Sequence, residues 1–272
     1  MRHRSSPILI TLGLVILAAL AGGCTISRLW EPSREEVLQR ILPSGVQIVI
    51  EQKEGRRVRS SSGVAIAAQP AGDHTACYIV TAGHTVSGLV GETQAYVVFD
   101  AHRGEPVKTP ASVIAYRDNA DIDLALLKAE SDHCVPARTG GAGLLGEPVW
   151  VVGFPWGKHM TLTRGIVSQV TLDGDRRDRE SAARLMVDAQ VSYGSSGGGV
   201  FEARDGTLIG IVEGYSTARV TSQGANPPWY IEVPVPGQTF VTPVADLRRF
   251  LSHTSYAGLV GSANDRAGLR DP

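Results

Sequence analysis

The stretch Tyr193-Gly194-Ser195-Ser196-Gly197-Gly198-Gly199-Val200 places two serines in a glycine-rich loop, immediately before an apolar, β-rich run. Glycine tolerates positive φ and close backbone approach, so glycines around a serine let the backbone aim its amide groups at one point. Acyl transfer needs this, because a carbonyl attacked by a hydroxyl becomes an oxyanion that fixed N–H donors must stabilise. The loop therefore indicates a nucleophilic serine, although a glycine–serine loop by itself is often only a turn.

Two other patterns supply the partners that a serine nucleophile needs. Val80-Thr81-Ala82-Gly83-His84-Thr85-Val86 ends a β-rich run in a histidine turn, and Asp121-Ile122-Asp123-Leu124-Ala125-Leu126-Leu127 opens an apolar run with acids. Histidine can take and return the hydroxyl proton near neutral pH, and a buried carboxylate holds the imidazole in the required tautomer. Taken singly, the two patterns could equally be a structural histidine and a strand cap. Together with the serine loop they follow the order His, Asp, Ser, one of the known chain orders of a catalytic triad.

Short β-rich runs, separated by Gly, Pro, Asp or Ser, surround the three patterns and predict an all-β fold. The runs are 46–50, 63–66, 78–80, 96–99, 112–115 and 124–127, followed by 149–152, 165–170, 185–187, 199–201, 208–212 and 239–241. No long helix joins them, so antiparallel pairing is expected, and Asp205-Gly206 predicts a hairpin turn. The prediction is two six-stranded units, at about 46–138 and 145–242, on either side of a glycine-rich break at 139–146. The histidine and acid patterns fall in the first unit and the serine loop in the second, which predicts a site in the cleft between them.

The first residues indicate export. An apolar run from Ile8 to Leu20 follows two arginines and ends in Ala21-Gly22-Gly23-Cys24. This is typical of a signal peptide over 1–23, and the run is too short to span a bilayer comfortably. The cysteine resembles that of a bacterial lipobox, although Ala21 stands where Leu or Val is usual. We therefore expect Cys24 to carry a lipid and to anchor the chain at the periplasmic face of a bacterial membrane; the alternative is an ordinary signal peptide cut nearby.

A helix is predicted near each end of the exported chain. Ser33 and Glu36 form a capping-box pattern, which predicts a short helix from about Arg34 to Leu42 within a linker at 24–45. That linker leads from the anchor into the folded body.

The second helix is expected to close the body. Thr242 as N-cap and Pro243 as the first helical residue predict a helix over 243–252. A flexible polar tail over 254–272 is expected to follow it.

The composition limits the classes of ligand and cofactor to be expected. The formal net charge is -1 without a broad basic excess, which gives no reason to expect nucleic-acid binding. The seven histidines include no His-Glu-x-x-His, and no Cys-x-x-Cys pair occurs, so neither a metal nor another cofactor is expected. Cys77 and Cys134 could form one disulfide after export or remain two buried thiols, because spacing does not fix the Cα separation.

With these motifs, the chain resembles trypsin-like serine proteases of the HtrA/Deg type. The runs that carry the likeness are Val-Thr-Ala-Gly-His at 80–84, Asp-Leu-Ala-Leu-Leu at 123–127, Gly-Ser-Ser-Gly-Gly at 194–198, and the flanking stretches 62–64, 153–157, 163–168, 188–189 and 206–211. The likeness extends from about Ser62 to Leu251. It implies a chymotrypsin-like fold of two six-stranded antiparallel β-barrels.

The resemblance also implies a role for each site residue. Ser196 is the expected nucleophile, His84 the general base and acid, and Asp123 the orienting carboxylate. The amides of Gly194 and Ser196 are expected to form the oxyanion hole.

Two of these roles have an alternative candidate residue in the same motif. Asp121 could replace Asp123, and Ser195 could replace Ser196, but the family frame favours Asp123 before Leu-Ala-Leu-Leu and the second serine. Position 195 is Ser where the family usually has Asn. Most HtrA proteins also carry a PDZ domain after the protease domain, and the roughly 20 residues after the closing helix leave no room for one.

Specificity is expected to come from two segments, 191–194 and 211–215. The candidate wall residues are Val191, Ser192, Tyr193, Ile211, Val212, Glu213 and Gly214. Their apolar character favours small or medium aliphatic residues before the cut, whereas an inward Glu213 carboxylate would favour basic residues. The segment Ser216 to Gln238 is either a loop over the pocket or an edge hairpin.

The sequence thus predicts a serine endopeptidase of exported or misfolded proteins, with protein or peptide substrates and no prediction of oligomeric state. Three alternatives belong to other classes. They are a catalytically silent binding module of the same fold, a metallohydrolase and a purely structural lipoprotein.

Overall fold

The computed structural model describes residues 31–89, 92–119, 121–171, 184–222, 224, 227 and 229–260. Strands dominate these residues. In chain order the elements are α1 (Arg34–Ile41), β1 (Gly45–Gln52), β2 (Arg57–Ala71), β3 (His74–Thr81), β4 (Thr93–Phe99), β5 (Val107–Asp118), β6 (Asp123–Glu130), β7 (Pro148–Gly153), β8 (Thr161–Thr171), β9 (Arg184–Val187), β10 (Gly199–Glu202), β11 (Leu208–Thr221), β12 (Tyr230–Pro243) and α2 (Val244–Ser252).

The strands form two closed barrels of six. Their orders are β1-β2-β3-β6-β5-β4 and β7-β8-β9-β12-β11-β10, so both barrels repeat one topology. Every pairing within them is antiparallel. Closure gives each barrel strand two partners and leaves few unpaired edges. The prediction of an all-β fold of two six-stranded antiparallel barrels is confirmed.

Successive side chains along the strands point alternately into the barrel interior and toward the surface between the barrels. In β1, Val46, Ile48 and Ile50 point into the core of the first barrel. Other buried residues, among them Leu124 and Phe201, belong to a cluster shared by both barrels. Each such fully buried side chain contributes about 1.5–3 kcal/mol to folding. The shared cluster fixes the two barrels against each other and so fixes the cleft between them.

Helix α1 covers the hairpin between β10 and β11. The predicted capping box is present: Ser33 Oγ accepts from the Glu36 amide, and the Glu36 carboxylate accepts from the Ser33 amide. Arg40 donates to the Asp205 carbonyl at 3.0 Å. A Cβ on Gly206 would lie 2.8 Å from Ile41 Cγ2, so the hairpin turn and the helix are in close contact. The short helix is therefore part of the body.

The end of the chain differs from expectation. Helix α2 starts at Val244 with Pro243 as its N-cap residue, and Thr242 still belongs to β12. The predicted Thr242 cap is wrong because its hydroxyl donates to Glu213 Oε2 at 3.4 Å instead.

The first residues assigned to the tail are also ordered. Tyr256 packs on Tyr78, with ring centroids 5.6 Å apart, and Val260 is 5% exposed within the shared cluster. Residues 254–260 therefore belong to the body, because their apolar side chains find a place on the first barrel. The rest of the predicted tail lies outside the described residues.

The predicted signal peptide and Cys24 lie outside the described residues as well. Within the ranges that the structure describes, no helix has the length and apolar character needed to cross a membrane.

Cys77 and Cys134 form a disulfide, with their Cα atoms 5.6 Å apart. Cys77 lies in β3 opposite Ala129 of β6, so the segment after β6 returns alongside β3. The separation falls in the range that a disulfide spans without distortion. The bond ties the strand that leads to His84 to the segment that follows the strand of Asp123.

Candidate active site

His84 and Asp123 lie against each other at the ends of two neighbouring strands. His84 sits in the 3₁₀ turn Gly83–Thr85 after β3, and Asp123 is the first residue of β6, which pairs with β3. The His84 amide donates to Asp123 Oδ1 at 2.7 Å, and His84 Nδ1 lies 2.6 Å from Asp123 Oδ2. An ionised carboxylate only accepts, so the ring proton sits on Nδ1 in the neutral imidazole and Nε2 is left as an acceptor.

The same contact raises the pKa of His84 above its ordinary value of 6.5. The hydrogen bond to Asp123 is the largest cause, the charge of the carboxylate adds to it, and partial burial opposes it. Asp123 is buried, whereas 44% of the His84 side chain is exposed, so the imidazole reaches the cleft while its partner stays below it.

The turn before His84 needs a glycine. A Cβ on Gly83 would lie 1.9 Å from the Arg117 carbonyl oxygen, so any side chain there would push the turn off β5. Asp121 belongs to a turn in which its amide donates to Asn119 Oδ1 at 3.0 Å. The structure thus brings Asp123, the residue predicted, onto the imidazole.

The loop of Ser196 is held on β2 and on the histidine turn. The Ser196 carbonyl accepts from the Ser62 amide at 2.9 Å and from Ser61 Oγ at 2.5 Å. A Cβ on Gly197 would lie 2.2 Å from the Ser62 carbonyl oxygen and 3.0 Å from the Ala82 amide, which explains the glycine after the serine. The two loops are therefore packed together, although across the described residues no hydrogen bond joins Ser196 Oγ to the imidazole.

The neighbouring serine is turned inward. Ser195 is 3% exposed, and its hydroxyl accepts from the Ser192 amide at 3.3 Å. Ser196 is half-buried. The arrangement therefore favours Ser196 over Ser195 as the hydroxyl that a substrate meets.

Two further contacts fix the peptide groups before Ser196. Ser62 Oγ donates to the Gly194 carbonyl at 2.8 Å and accepts from the Phe154 amide at 2.8 Å. The Trp156 amide donates to the Tyr193 carbonyl at 2.6 Å. Gly194 has φ 91°, a conformation that glycine adopts readily. In the described part of the chain, the amides of Gly194 and Ser196 donate to no protein acceptor, so both are available to a ligand.

A cavity of about 300 Å³ lies between the residues preceding this loop and the β11–β12 sheet. Its lining residues are Gln190, Val191, Tyr215, Pro234, Val235, Pro236, Gly237 and Thr239. A narrower cleft, also lined by Gln190 and Val191, continues to Ser195. The cavity is therefore mainly apolar and opens beside the serine loop.

One wall of the cavity is an irregularity in β12. Tyr215 pairs with Thr239 and Thr217 pairs with Pro234, so four residues of β12 face one residue of β11. These residues, 235–238, bulge from the ladder, and 235–237 line the cavity. The sequence signal was Pro234-Val235-Pro236-Gly237, which interrupts a β-rich run. Residues 216–221 extend β11 and residues 230–234 extend β12, and the two stretches pair with each other, so of the two alternatives the described residues have the hairpin.

The structure places the predicted wall residues in different positions. Val191 lines the cavity, and so does Tyr215, but Ile211 and Val212 are buried in the hydrophobic clusters. They are excluded from the wall because both faces of β11 are covered at that point.

The remaining candidates have other positions. The Glu213 carboxylate accepts from Thr242, and Gly214 pairs with Phe240 within the sheet. Ser192 and Tyr193 belong to the serine loop and do not line the cavity.

Residues 61–211, more than half of the chain, match the family model of the trypsin-like peptidase domain. The chain belongs to this family. The trypsin-like peptidase domain model begins in β2 and ends in β11, so it includes all three candidate catalytic residues and the disulfide.

Similar proteins place this trypsin-like peptidase close to the HtrA type. It is 27% identical over 194 residues to an HtrA-like serine protease of Staphylococcus epidermidis, covering 66% of this chain and 31% of that protein. It is 29% identical over 169 residues to the chloroplastic protease Do-like 1 of Arabidopsis thaliana, covering 55% of this chain and 36% of that protein. The predicted resemblance to HtrA-type proteases is confirmed, and this trypsin-like peptidase spans about a third of the length of these relatives.

The fold has counterparts among solved structures. The crystal structure of the serine endoprotease from Yersinia pestis matches with a TM-score of 0.57 and 20% identity, covering 81% of this chain and 66% of that one. At this identity the match supports the barrel architecture of the trypsin-like peptidase alone.

Proposed function

We propose that this trypsin-like peptidase is a serine endopeptidase that cuts peptide bonds in exported or misfolded proteins, using His84, Asp123 and Ser196. The observation that carries the proposal is the pair of hydrogen bonds from Asp123 to His84, with Gly197 of the serine loop packed against Ala82, which begins the histidine turn. A positioned imidazole beside a hydroxyl in a glycine loop is the arrangement that activates serine for acyl transfer.

The first half of the reaction forms an ester. Ser196 Oγ attacks the carbonyl carbon of the scissile bond while His84 Nε2 takes the hydroxyl proton. Asp123 keeps the ring in the tautomer that accepts at Nε2 and stabilises the imidazolium. The tetrahedral intermediate collapses, the C–N bond breaks, and His84 gives its proton to the leaving amine, which leaves an acyl-enzyme on Ser196.

Hydrolysis of the ester repeats these steps with water. His84 takes a proton from the attacking water, the second tetrahedral intermediate collapses to a carboxylic acid, and the proton returns to Ser196. In both halves, the amides of Gly194 and Ser196 stabilise the oxyanion. Each such donor is worth about 10²–10³ in kcat.

The cavity beside the serine loop would take the side chain before the cut. Its lining is dominated by Val, Pro and Tyr side chains, which favours small or medium aliphatic residues. Glu213 contributes no carboxylate to this lining, so a basic preference has no support from it. We further propose that lipidation of Cys24 holds the enzyme at the periplasmic face of a membrane, where exported proteins would be its substrates.

The test is covalent labelling followed by digestion. A fluorophosphonate is expected to label Ser196 in the domain from Ser33 onward, and Ser196→Ala is expected to abolish both labelling and casein cleavage while the fold survives. Ser195→Ala is the matched control and should keep labelling. Cleavage of casein by Ser196→Ala at the parent rate would end the proposal, and loss of activity in EDTA would favour the metallohydrolase alternative.

A further inference from the structure

Strands β11 and β12 continue past the second barrel as a two-stranded ribbon, here called the arm, formed by residues 217–221 and 230–234. Its ladder runs from Thr217 opposite Pro234 to Thr221 opposite Tyr230. The base of the arm is the bulge that walls the substrate cavity. The arm therefore extends from the edge of the cavity into solvent.

The arm has one apolar face. Ala218 lies opposite Val233 and Val220 opposite Ile231, and residues two apart on a strand point the same way. Val220 is 46% exposed, Ile231 51% and Val233 36%. Adjacent exposed apolar side chains of this kind are a feature of binding surfaces.

The opposite face is polar and internally satisfied. Arg219 lies opposite Glu232, with Arg219 Nη2 3.2 Å from Glu232 Oε1, and its guanidinium lies 4.3 Å from the centre of the Tyr230 ring. These contacts hold the two strands together without help from the apolar face. The apolar face is thus available to bind a partner.

The β11 edge of the arm continues a stretch of the same strand that begins next to the serine loop. Strand β11 pairs with β10 as far as Ile211, and Val212 then exchanges hydrogen bonds with Gly197 and Gly198 of the serine loop. From Gly214 to Thr221, the strand that pairs with β11 among the described residues is β12. The other edge of this stretch presents backbone groups to which an extended chain can be added.

We propose that the arm binds the part of a protein substrate that precedes the cleaved bond, as an added β-strand along residues 217–221. The inference rests on the proposed function. Alternate side chains of the added strand would lie beside Ala218 and Val220, so the substrate segment should alternate apolar and polar residues. Such segments are strands that become accessible when a protein is misfolded.

Continuity with the cavity argues for a substrate as the occupant. The cavity and the narrower cleft beside Ser195 share Gln190 and Val191, so a residue whose side chain fills the cavity would have its scissile carbonyl on the Ser196 side. The chain before it would pass the bulge at 235–238 and meet the arm. The residues after the cut would leave on the other side of Ser196. A long segment before the cut should therefore strengthen binding, whereas a long segment after the cut should not.

The experiment compares peptides that share one cleavage sequence. One has about four residues before the cut, one has about ten with apolar residues at alternate positions, and one carries the same extension after the cut. For the parent domain, kcat/KM is expected to rise about tenfold with the first extension, as two or three apolar cross-strand pairs would give. The second extension should give no rise.

Matched variants test the apolar face. In Val220→Glu the ratio of long-peptide to short-peptide kcat/KM is expected to fall from about ten to about one. In Val113→Glu, the same change at an exposed valine of the first barrel, the ratio should stay near ten. Because the short peptide is measured in the same preparation, a general folding defect lowers both rates and leaves the ratio unchanged.

The outcomes separate this inference from the proposed function. Failure to cut any of the peptides, together with no fluorophosphonate labelling, would sink the proposed function. Cleavage of short and long peptides at equal rates would overturn the arm alone, and so would a gain from the extension after the cut. A concentration-dependent dimer that Val220→Glu disperses, with no dependence on peptide length, would make the arm a contact between copies and also overturn the inference.

Discussion

Replacing Ser62 by alanine should loosen the loop that carries the oxyanion donors. Ser62 is fully buried, and its hydroxyl is the only part of the side chain that alanine lacks. That hydroxyl accepts from the Phe154 amide and donates to the Gly194 carbonyl, both at 2.8 Å. It thereby links β2 of the first barrel to two loops of the second.

The magnitude follows from these two hydrogen bonds. In Ser62→Ala a buried amide and a buried carbonyl lose their partner, and each unsatisfied group costs about 1–3 kcal/mol. We expect the free energy of unfolding to fall by about 3 kcal/mol, a sizeable share of the 5–15 kcal/mol typical of a folded domain. Because the Gly194 peptide group also loses its anchor, kcat should fall about 100-fold with little change in KM.

Urea denaturation and steady-state kinetics on a short peptide measure the two effects separately. Ser60→Ala is the control, since its half-buried hydroxyl accepts from Gln47 Nε2 at 2.9 Å and, among the described residues, makes no hydrogen bond to the serine loop. That variant should lose about 1 kcal/mol and keep its kcat. If Ser62→Ala keeps both its stability and its kcat, then Ser62 does not position the Gly194 peptide group, and the reasoning is refuted.

Three further predictions concern the base, the disulfide and the first helix. Because the pKa of His84 is raised above 6.5 and only the neutral ring accepts a proton, kcat/KM should fall as pH drops through that raised value. In Asp123→Asn this limb should move to lower pH while kcat drops about 10³–10⁴-fold; an unmoved limb would mean that Asp123 does not set the titration. Replacing Cys77 and Cys134 by serine opens a loop with a sequence separation of 57 residues and should cost about 4 kcal/mol, read from the urea midpoint against the oxidised parent without reductant. Ser33→Ala removes the helix cap and should cost about 1 kcal/mol in the same assay, with kcat unchanged.

Much of the fold could be predicted because its signals are local. Turn residues between short β-rich runs marked all twelve strands, and the capping box at Ser33 marked the first helix. Strand ends were the weak point. The runs 208–212 and 239–241 were predicted as short strands, but β11 and β12 each contain 14 residues. Their extension depends on pairing with each other, which no local pattern reveals.

The candidate site divides in the same way. The types and order of His84, Asp123 and Ser196 were readable, because acyl transfer demands those groups in recognisable loops. Most of the pocket wall was not. It is made by the β12 bulge at 235–238, whose position follows from the register between two distant strands. The contact of Thr242 with Glu213 was hidden for the same reason.

By itself, the sequence determined which segments are strands, where they turn and which side chains bring chemistry, since these depend on neighbours a few residues away. Only the tertiary structure decided that Cys77 reaches Cys134, that Ser62 bridges the barrels, and that residues 254–260 pack on the body. These outcomes depend on distances between groups far apart in the chain. Such distances are set by closure of the barrels and by the packing between them.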